Sequence, residues 1–243
     1  MAKKSRKSPK KRGPSLIKII YEDDDIIVID KPAGLLSVPI PRSRAVNARD
    51  ILVDYLKDFK QKAIIVHRID RYTSGLMVFA KNRQAHGNLV KQFLAHTPHR
   101  IYLALVRGCP EPAEGELCHY LKQTNWGFRQ VVVKNEEEGG TLSVTRYRVV
   151  EAFPDAALLE IYLVTGLKNQ IRVQLNAAGH PIVGDRHYSE KEKKATGLDR
   201  QALHAHRLGF VHPATGKYVE FKSELPADMR KKLNEFRKQK SDK

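Results

Sequence analysis

Cysteine is scarce in this chain of 243 residues, which contains two, Cys109 and Cys118. Two thiols that do not form a CxxC pair exclude the disulfide framework of a small secreted domain, so we expect a reducing compartment and a cytoplasmic protein. No apolar run approaches the roughly 18 residues that span a bilayer, and no apolar segment follows the basic N-terminus. Neither membrane insertion nor secretion is therefore expected.

Several motifs of cofactor-dependent chemistry are also missing. The chain contains no GxGxxG, GxxxxGK[ST], HExxH or GxSxG segment, which removes the usual sequence support for dinucleotide, P-loop, zincin and serine-hydrolase chemistry. His204 and His206 form an HxH pair, but no cysteine or carboxylate stands beside them in the sequence as a further metal ligand. Ser74 precedes a glycine and is interpreted as a turn residue. We expect neither a cofactor nor a metal.

Acidic residues are outnumbered by basic ones: 27 aspartates and glutamates face 44 lysines and arginines, a formal net charge of +17. This excess favours a polyanionic partner such as RNA or DNA, with plain solubility as the alternative. Much of it lies at the ends, since residues 1–13 carry seven basic groups without an acid and residues 229–243 carry seven against two acids. We interpret residues 1–15 as a disordered basic arm, 16–228 as one catalytic domain and 229–243 as a basic C-terminal helix or tail.

The order of the predicted elements indicates an α+β fold. Asn47 and Asn82 are expected to cap two helices whose apolar residues recur at helical spacing. Further helices are expected over 168–179 and from Pro226 onward. The predicted strands cover 17–20, 26–30, 63–66, 76–80, 99–108, 141–150, 156–164, 203–210 and 217–222. Strands in hairpin-like succession, with helices placed irregularly between them, predict a central mixed, largely antiparallel sheet with flanking helices.

One polar stretch, HRIDRYTSG at residues 67–75, lies between two predicted core strands. Asp70 is its only acid, and His67, Arg68 and Arg71 flank it, so nearby cations favour the ionised carboxylate. An ionised carboxylate suits a nucleophile better than a general acid. The alternative is that Asp70 only pins a turn by pairing with a neighbouring arginine. The residues of this stretch alone leave both interpretations open.

The longer segment HRIDRYTSGLMVFAK resembles the signature of the RluA family of pseudouridine synthases, an H-R-L-D followed two residues later by T-S-G-L. Five further blocks resemble the family in the same order: KPAGLLSVP at 31–39, YLALVRG at 102–108, TGLKNQIRVQL at 165–175, GHPIVGDRHY at 179–188 and LHAHRLGFVHPATG at 203–216. The resemblance covers residues 18–228. It implies the pseudouridine synthase fold with a catalytic cleft, and an enzyme that isomerises uridines within RNA without cofactor or metal.

The resemblance also implies roles for individual residues. Asp70 corresponds to the essential carboxylate, and Tyr102 to an active-site tyrosine that stacks on the flipped base. Arg172 corresponds to the arginine that pairs with the carboxylate and holds it through a forked contact. The candidate RNA contacts around the cleft are Lys31, Arg68, Arg71 and Lys168.

The TGLKNQ segment departs from the family pattern at two positions. Leu167 and Asn169 stand where relatives often have arginine and histidine, which bears on RNA affinity more than on catalysis. A rival hypothesis is a non-catalytic RNA-binding or ribosome-assembly factor on this fold, and a third is a nucleoside hydrolase. The presence of Asp70, Tyr102 and Arg172 together favours the synthase. The motifs do not distinguish ribosomal from transfer RNA substrates, and we expect a monomer.

Overall fold

The computed structural model describes residues 16–124, 129–189 and 197–241. The predicted basic arm and the last two residues lie outside these ranges. Across the described ranges, no helix combines the length and the apolar character needed to cross a bilayer.

The described part of the chain contains strands in succession, with α-helices placed irregularly between them. The strands are β1 (Lys18–Glu22), β2 (Ile26–Lys31), β3 (Ile64–Ile65), β4 (Ser74–Ala80), β5 (His99–Arg107), β6 (Glu114–Gln123), β7 (Gln130–Val133), β8 (Thr141–Ala152), β9 (Ala156–Leu163), β10 (Leu203–Val211) and β11 (Tyr218–Lys222). The helices are α1 (Ala48–Leu56), α2 (Arg83–Leu94), α3 (Gln170–Ala177) and α4 (Ala227–Ser241).

The first two helices begin where side-chain capping predicts. The Asp50 backbone N–H donates to Asn47 Oδ1 at 3.0 Å, and Asn47 Nδ2 donates to the Asp50 carboxylate at 2.8 Å. At α2, the Ala85 N–H donates to Asn82 Oδ1 at 2.8 Å. Each asparagine thus satisfies a backbone donor that the helix itself leaves without a partner.

The strands form one sheet in the order β1-β2-β4-β10-β5-β9-β8-β6-β7, with β3 paired to β4 and β11 to β10. The β4–β10 pair is parallel, whereas β2–β4, β10–β5 and β5–β9 are antiparallel. This arrangement confirms the predicted α+β fold with a mixed, largely antiparallel sheet.

Strands β6 and β7 were not predicted. In β6, Leu121 is the one buried residue, and exposed and half-buried positions alternate before it, so no apolar run marks the strand. β7 has four residues, and the two strands pair with each other from Tyr120 opposite Val133 to Gln123 opposite Gln130. Their conformation is set by pairing within the sheet more than by their own residue pattern.

Alternate residues of the central strands pack into two hydrophobic clusters on opposite faces of the sheet. Met77 and Phe79 belong to the larger cluster, whereas Leu76 and Val78 belong to the smaller one together with apolar residues of α2. All four side chains are at most 1% exposed. The strand that follows the Asp70 loop is therefore covered on both faces, which gives the loop a rigid support.

The C-terminal helix α4 also packs on the larger cluster. Its residues Met229, Leu233 and Phe236 are buried, and the Phe236 ring lies 5.7 Å from the ring of Phe153. The domain boundary predicted after residue 228 falls inside this helix. The predicted basic helix is present, and it is part of the folded body rather than a separate tail.

Three paired residues join the neighbouring strands β4, β10 and β5. Ala205 on β10 is paired with Gly75 on β4 and with Tyr102 on β5. Gly75 has a φ of +112°, and a Cβ placed on it would lie 2.2 Å from the Ala205 carbonyl oxygen. Glycine is therefore required there, because any side chain would separate the two strands. This close approach brings the loop preceding β4 next to Tyr102.

Candidate active site

The Asp70 loop is fixed by the block KPAGLLS, which precedes α1. Ser37 Oγ donates to the Ile69 carbonyl at 2.7 Å, and the Gly34 N–H donates to the Arg71 carbonyl at 2.9 Å. Within the loop, the Thr73 N–H donates to the Asp70 carbonyl at 3.1 Å. Two segments that are distant in the sequence thus form one structure, with the Asp70 side chain at its turn.

Arg172 pairs with Asp70, as the family resemblance implies. Arg172 Nη1 donates to Asp70 Oδ2 at 3.1 Å, and the two side chains are 7% and 23% exposed. In the described part of the chain, Asp70 Oδ1 has no hydrogen-bond donor. One carboxylate oxygen is therefore held by a cation while the other is available to a ligand.

Asp185 is a functional candidate that the sequence reasoning missed. Arg172 Nε and Nη2 donate to its two carboxylate oxygens at 2.7 and 2.8 Å, and the Asp185 side chain is 1% exposed. Burial acts to lower the pKa of Arg172, but the carboxylates of Asp185 and Asp70 outweigh it and raise that pKa. The signal was present in the block GHPIVGDRHY, where Asp185 lies.

Asn169 and Tyr188 complete the support of Arg172. Asn169 Oδ1 accepts from Arg172 Nη1 at 3.1 Å, and Asn169 Nδ2 donates to the Tyr188 hydroxyl at 3.1 Å. The Arg172 guanidinium lies 5.1 Å from the centre of the Tyr188 ring. Asn169 has a φ of +54°, a conformation that asparagine adopts more readily than most residues. At this departure from the family pattern, the side chain helps to hold the arginine.

Tyr102 lies in the same cleft as Asp70 and Arg172. Its side chain is 8% exposed. Burial raises the pKa of the Tyr102 phenol to about 12, the Arg100 charge opposes this, and the Asp70 charge adds to it. The phenol is therefore protonated at neutral pH and can donate its O–H group. The three predicted catalytic residues come together in the structure.

The cleft has a volume of about 690 Å³. Arg68 and Lys168, two of the predicted RNA contacts, line it, and Arg68 is exposed. Arg71 is exposed within the same loop as Asp70, and its Nε donates to the Gly34 carbonyl at 2.9 Å. These three positions are compatible with contacts to an anionic ligand.

The position of Lys31 corrects the prediction that it contacts RNA. The side chain is completely buried, and its Nζ donates to the carbonyls of Pro32, Leu35 and Arg71 at 2.9, 2.8 and 3.0 Å. All N–H bonds of the ammonium group are used within the protein. Burial lowers the pKa of Lys31 to about 7. Lys31 supports the Asp70 loop through its bond to the Arg71 carbonyl. Its buried ammonium group is not accessible to a phosphate.

His67, Phe93 and Arg100 form one wall of the cleft, which the sequence did not predict. The rings of His67 and Phe93 are stacked, with centres 4.5 Å apart and planes 13° apart, and the Arg100 guanidinium lies 6.0 Å from the Phe93 ring. Desolvation lowers the pKa of His67 to about 3. Its Nε2 accepts from the Val78 N–H at 3.1 Å, so the neutral ring carries its proton on Nδ1.

The HxH pair and Ser74 have structural contacts. His204 Nδ1 and Ser74 Oγ are 2.9 Å apart, and both residues are buried. His204 Nε2 and His206 Nδ1 both contact the Ser223 carbonyl, at 3.2 and 2.6 Å. These contacts tie β10 to β4 and to the end of β11.

Comparison with known families assigns the class of protein. The family model described as RNA pseudouridylate synthase matches residues 25–177, a range that includes Asp70, Tyr102 and Arg172. The chain belongs to this family, and it is an RNA pseudouridine synthase, an isomerase.

Curated relatives narrow the assignment and confirm the resemblance to the RluA family. The dual-specificity RNA pseudouridine synthase RluA of Vibrio cholerae is 42% identical over 205 residues, which cover 81% of this chain and 78% of that protein. The ribosomal large subunit pseudouridine synthase D of Zymomonas mobilis is 36% identical, with 88% and 70% covered. The uncharacterized RNA pseudouridine synthase YlyB of Bacillus subtilis is 36% identical, with 93% and 74% covered.

Solved structures share the fold. The human RNA pseudouridylate synthase domain containing 4 aligns with a TM-score of 0.76 at 24% identity, covering 90% of this chain and 93% of that one. The human RNA pseudouridylate synthase domain containing 1 aligns with a TM-score of 0.70 at 23% identity, covering 90% and 86%. At this level of identity the likeness bears on the fold, and it confirms the pseudouridine synthase architecture.

Proposed function

We propose that this enzyme converts specific uridines of structured ribosomal or transfer RNA to pseudouridine, with Asp70 as the essential carboxylate. The observation that carries the assignment of Asp70 is its position in the cleft. A buried, doubly anchored arginine holds Oδ2, and Oδ1 has no donor among the described residues. This arrangement orients the carboxylate and leaves one of its oxygens for the substrate.

The isomerisation breaks the bond between ribose C1′ and uracil N1 and forms a bond between C1′ and C5. The proton on C5 leaves, and N1 gains a proton, so the composition of the nucleotide does not change. Asp70 assists either by attack on C1′ or on the base, or by helping to remove a ribose proton to give a glycal. Each route needs an ionised carboxylate beside the sugar, because positive character grows at C1′ as the glycosidic bond breaks.

Tyr102 holds the base in this scheme. Its ring offers a stacking surface beside Asp70, and its protonated hydroxyl offers a hydrogen bond to a uracil oxygen. With a pKa raised to about 12 by burial, the phenol accepts the C5 proton only if it passes its own proton onward.

The RNA must present an unpaired uridine to the cleft. A base inside a helix is inaccessible, so the target is flipped out or lies in a loop, at an unstacking cost of a few kcal/mol. Arg68, Arg71 and Lys168 are the proposed phosphate contacts, and the basic N-terminal arm adds affinity that depends on salt and tolerates sequence changes. We propose a cytoplasmic monomer that needs no cofactor or metal.

The substrate class rests on the relatives. One is named a ribosomal large subunit pseudouridine synthase and another a dual-specificity RNA pseudouridine synthase. The first name supports ribosomal RNA as a substrate, and transfer RNA is tested beside it because the motifs do not distinguish the two.

Tritium release from RNA labelled at uridine C5 tests the proposal. Wild type and Asp70→Asn are incubated in parallel with ribosomal and transfer RNA pools. We expect release by the wild type from at least one pool and none by Asp70→Asn, since the amide cannot act as an ionised carboxylate. Binding of RNA by both proteins shows that the substitution has not unfolded the chain.

Two other outcomes would favour the rival hypotheses. Equal RNA binding by both proteins, with no tritium release from any pool, would support a non-catalytic RNA-binding or assembly factor. Appearance of free uracil would indicate a hydrolase, in which water rather than C5 captures C1′.

A further inference from the structure

The turn that ends α2 lies at the rim of the catalytic cleft. Leu94 and His96 both line the cleft that contains Asp70. Leu94 is 75% exposed as a whole residue, the largest exposed fraction of a bulky apolar residue within the described ranges. Large apolar side chains left in water next to a binding site are candidates for contact with a ligand.

The backbone of this turn has an unusual residue at its tightest point. His96 has a φ of +55°, at a position after a helix where glycine is the common choice. The N–H groups of Ala95, His96 and Thr97 donate to the carbonyls of Lys91, Phe93 and Gln92 at 2.9, 3.3 and 3.1 Å. Glycine would adopt this conformation without strain, so the backbone does not require the exposed imidazole at this position.

The turn is held rigidly relative to the catalytic loop. Phe93, the residue before Leu94, stacks on His67 with ring centres 4.5 Å apart. His67 in turn accepts from the Val78 backbone at 3.1 Å and precedes Asp70 in the same loop. The apolar rim and the carboxylate therefore belong to one connected structure.

The chemistry of the turn suits a base better than a phosphate. A helix C-terminus is the negative end of the helix dipole and disfavours anions. Leucine and imidazole instead present flat or apolar surfaces, and apolar side chains that enter a base stack are known to replace lost stacking. When the target uridine leaves its stack, the neighbouring base loses a stacking partner.

We propose that Leu94 and His96 stack against the nucleotide adjacent to the flipped uridine. This inference rests on the proposed function. It assigns to the α2 turn a role in binding and site choice, separate from the chemistry at Asp70.

The test uses Leu94→Ser, His96→Gly and the double variant, with Leu142→Ser as the matched control. Leu142 is 50% exposed on β8 and does not line the cleft. Glycine at position 96 removes the ring while relieving the backbone, so weaker RNA binding by His96→Gly cannot be attributed to unfolding. The measurements are KM and Kd for the RNA that the wild type modifies, and the single-turnover rate at saturating RNA.

We expect the double variant to raise KM and Kd about tenfold, in the range of one base-stacking contact, with the single-turnover rate unchanged. Leu142→Ser should match the wild type. Equal KM and Kd for the double variant and the wild type would refute the role of the turn. Absence of tritium release by the wild type would instead refute the proposed function. The Kd values of the same variants for the ribosomal and transfer RNA pools would then still decide whether the turn contacts RNA.

Discussion

Replacing Asp185 by asparagine should both destabilise the protein and slow catalysis. The substitution keeps the size of the side chain but removes the charge that pairs with two nitrogens of Arg172, at 2.7 and 2.8 Å. The Asp185 side chain is 1% exposed and that of Arg172 7%, so water cannot replace the lost partner. Removing one member of a buried ion pair costs about 3–5 kcal/mol. Since an amide still accepts one hydrogen bond and Asp70 remains, we expect the lower end of this range, about 3 kcal/mol.

The catalytic effect follows from the orientation of Arg172. Without Asp185 the guanidinium keeps Asp70 and Asn169 as acceptors among the described residues, both at 3.1 Å, and we expect it to shift toward them. A displacement of about 1 Å at Asp70, the proposed catalytic carboxylate, is expected to lower the rate roughly a hundredfold. Urea unfolding measures the first effect, and single-turnover tritium release at saturating RNA measures the second.

The matched control is Asp199→Asn. Asp199 pairs with Arg186 at 2.9 Å, but its side chain is fully exposed, so we expect no measurable change in stability or rate. If Asp185→Asn unfolded at the same urea concentration as Asp199→Asn, with an unchanged single-turnover rate, the reasoning about Arg172 would be wrong.

Three further predictions concern the loop support, the sheet and the arm. Gly75→Ala should destabilise the protein by roughly 4 kcal/mol or more, because the added Cβ would meet the Ala205 carbonyl. Gly216 has a positive φ but open space around it, so the control Gly216→Ala should cost roughly 1 kcal/mol. Urea unfolding measures both free energies, and equal costs would contradict this reasoning. Burial lowers the pKa of Lys31 from 10.5 to about 7, so between these pH values the unfolded chain binds more protons than the folded one. The free energy of unfolding of the wild type, relative to that of Lys31→Met, should therefore rise with pH in this range by up to about 1.4 kcal/mol per pH unit. A flat difference in pH-dependent unfolding would exclude it. Deleting residues 2–13 should weaken RNA binding and flatten its salt dependence without moving the modified position, and a shifted position in site mapping would refute this division of roles.

The fold was predictable wherever local signals were strong. Asn47 and Asn82 are placed as helix caps by the sequence, and both accept the expected backbone N–H. Strand β4 was predicted from its apolar run, which reflects its burial on both faces. Strand β6 was missed because it has a single buried residue and no apolar run, and pairing with β8 determines its conformation.

The site was predictable as far as the family blocks reach. These blocks led to Asp70, Tyr102 and Arg172, which meet in one cleft. They did not show that Asp185 holds Arg172, because a contact between two blocks depends on tertiary structure. Lys31 was misassigned for a related reason: its charge suggested a phosphate, whereas its depth in the fold, which the sequence does not reveal, gives it carbonyl partners.

The short parallel pairing of β4 with β10 has a consequence for cooperativity. It joins two parts of the sheet through two residue pairs, Ser74 with His204 and Gly75 with Ala205, and these residues are 130 apart in the sequence. Asp70 precedes β4 on one side of this parallel pairing, whereas Tyr102 lies on β5 on the other side. Local opening of the β4–β10 pairing would separate Asp70 from Tyr102 without unfolding either part of the sheet. RNA bound across the cleft would contact both parts of the sheet. The substrate itself would therefore stabilise the β4–β10 pairing, on which the proposed arrangement of the site depends.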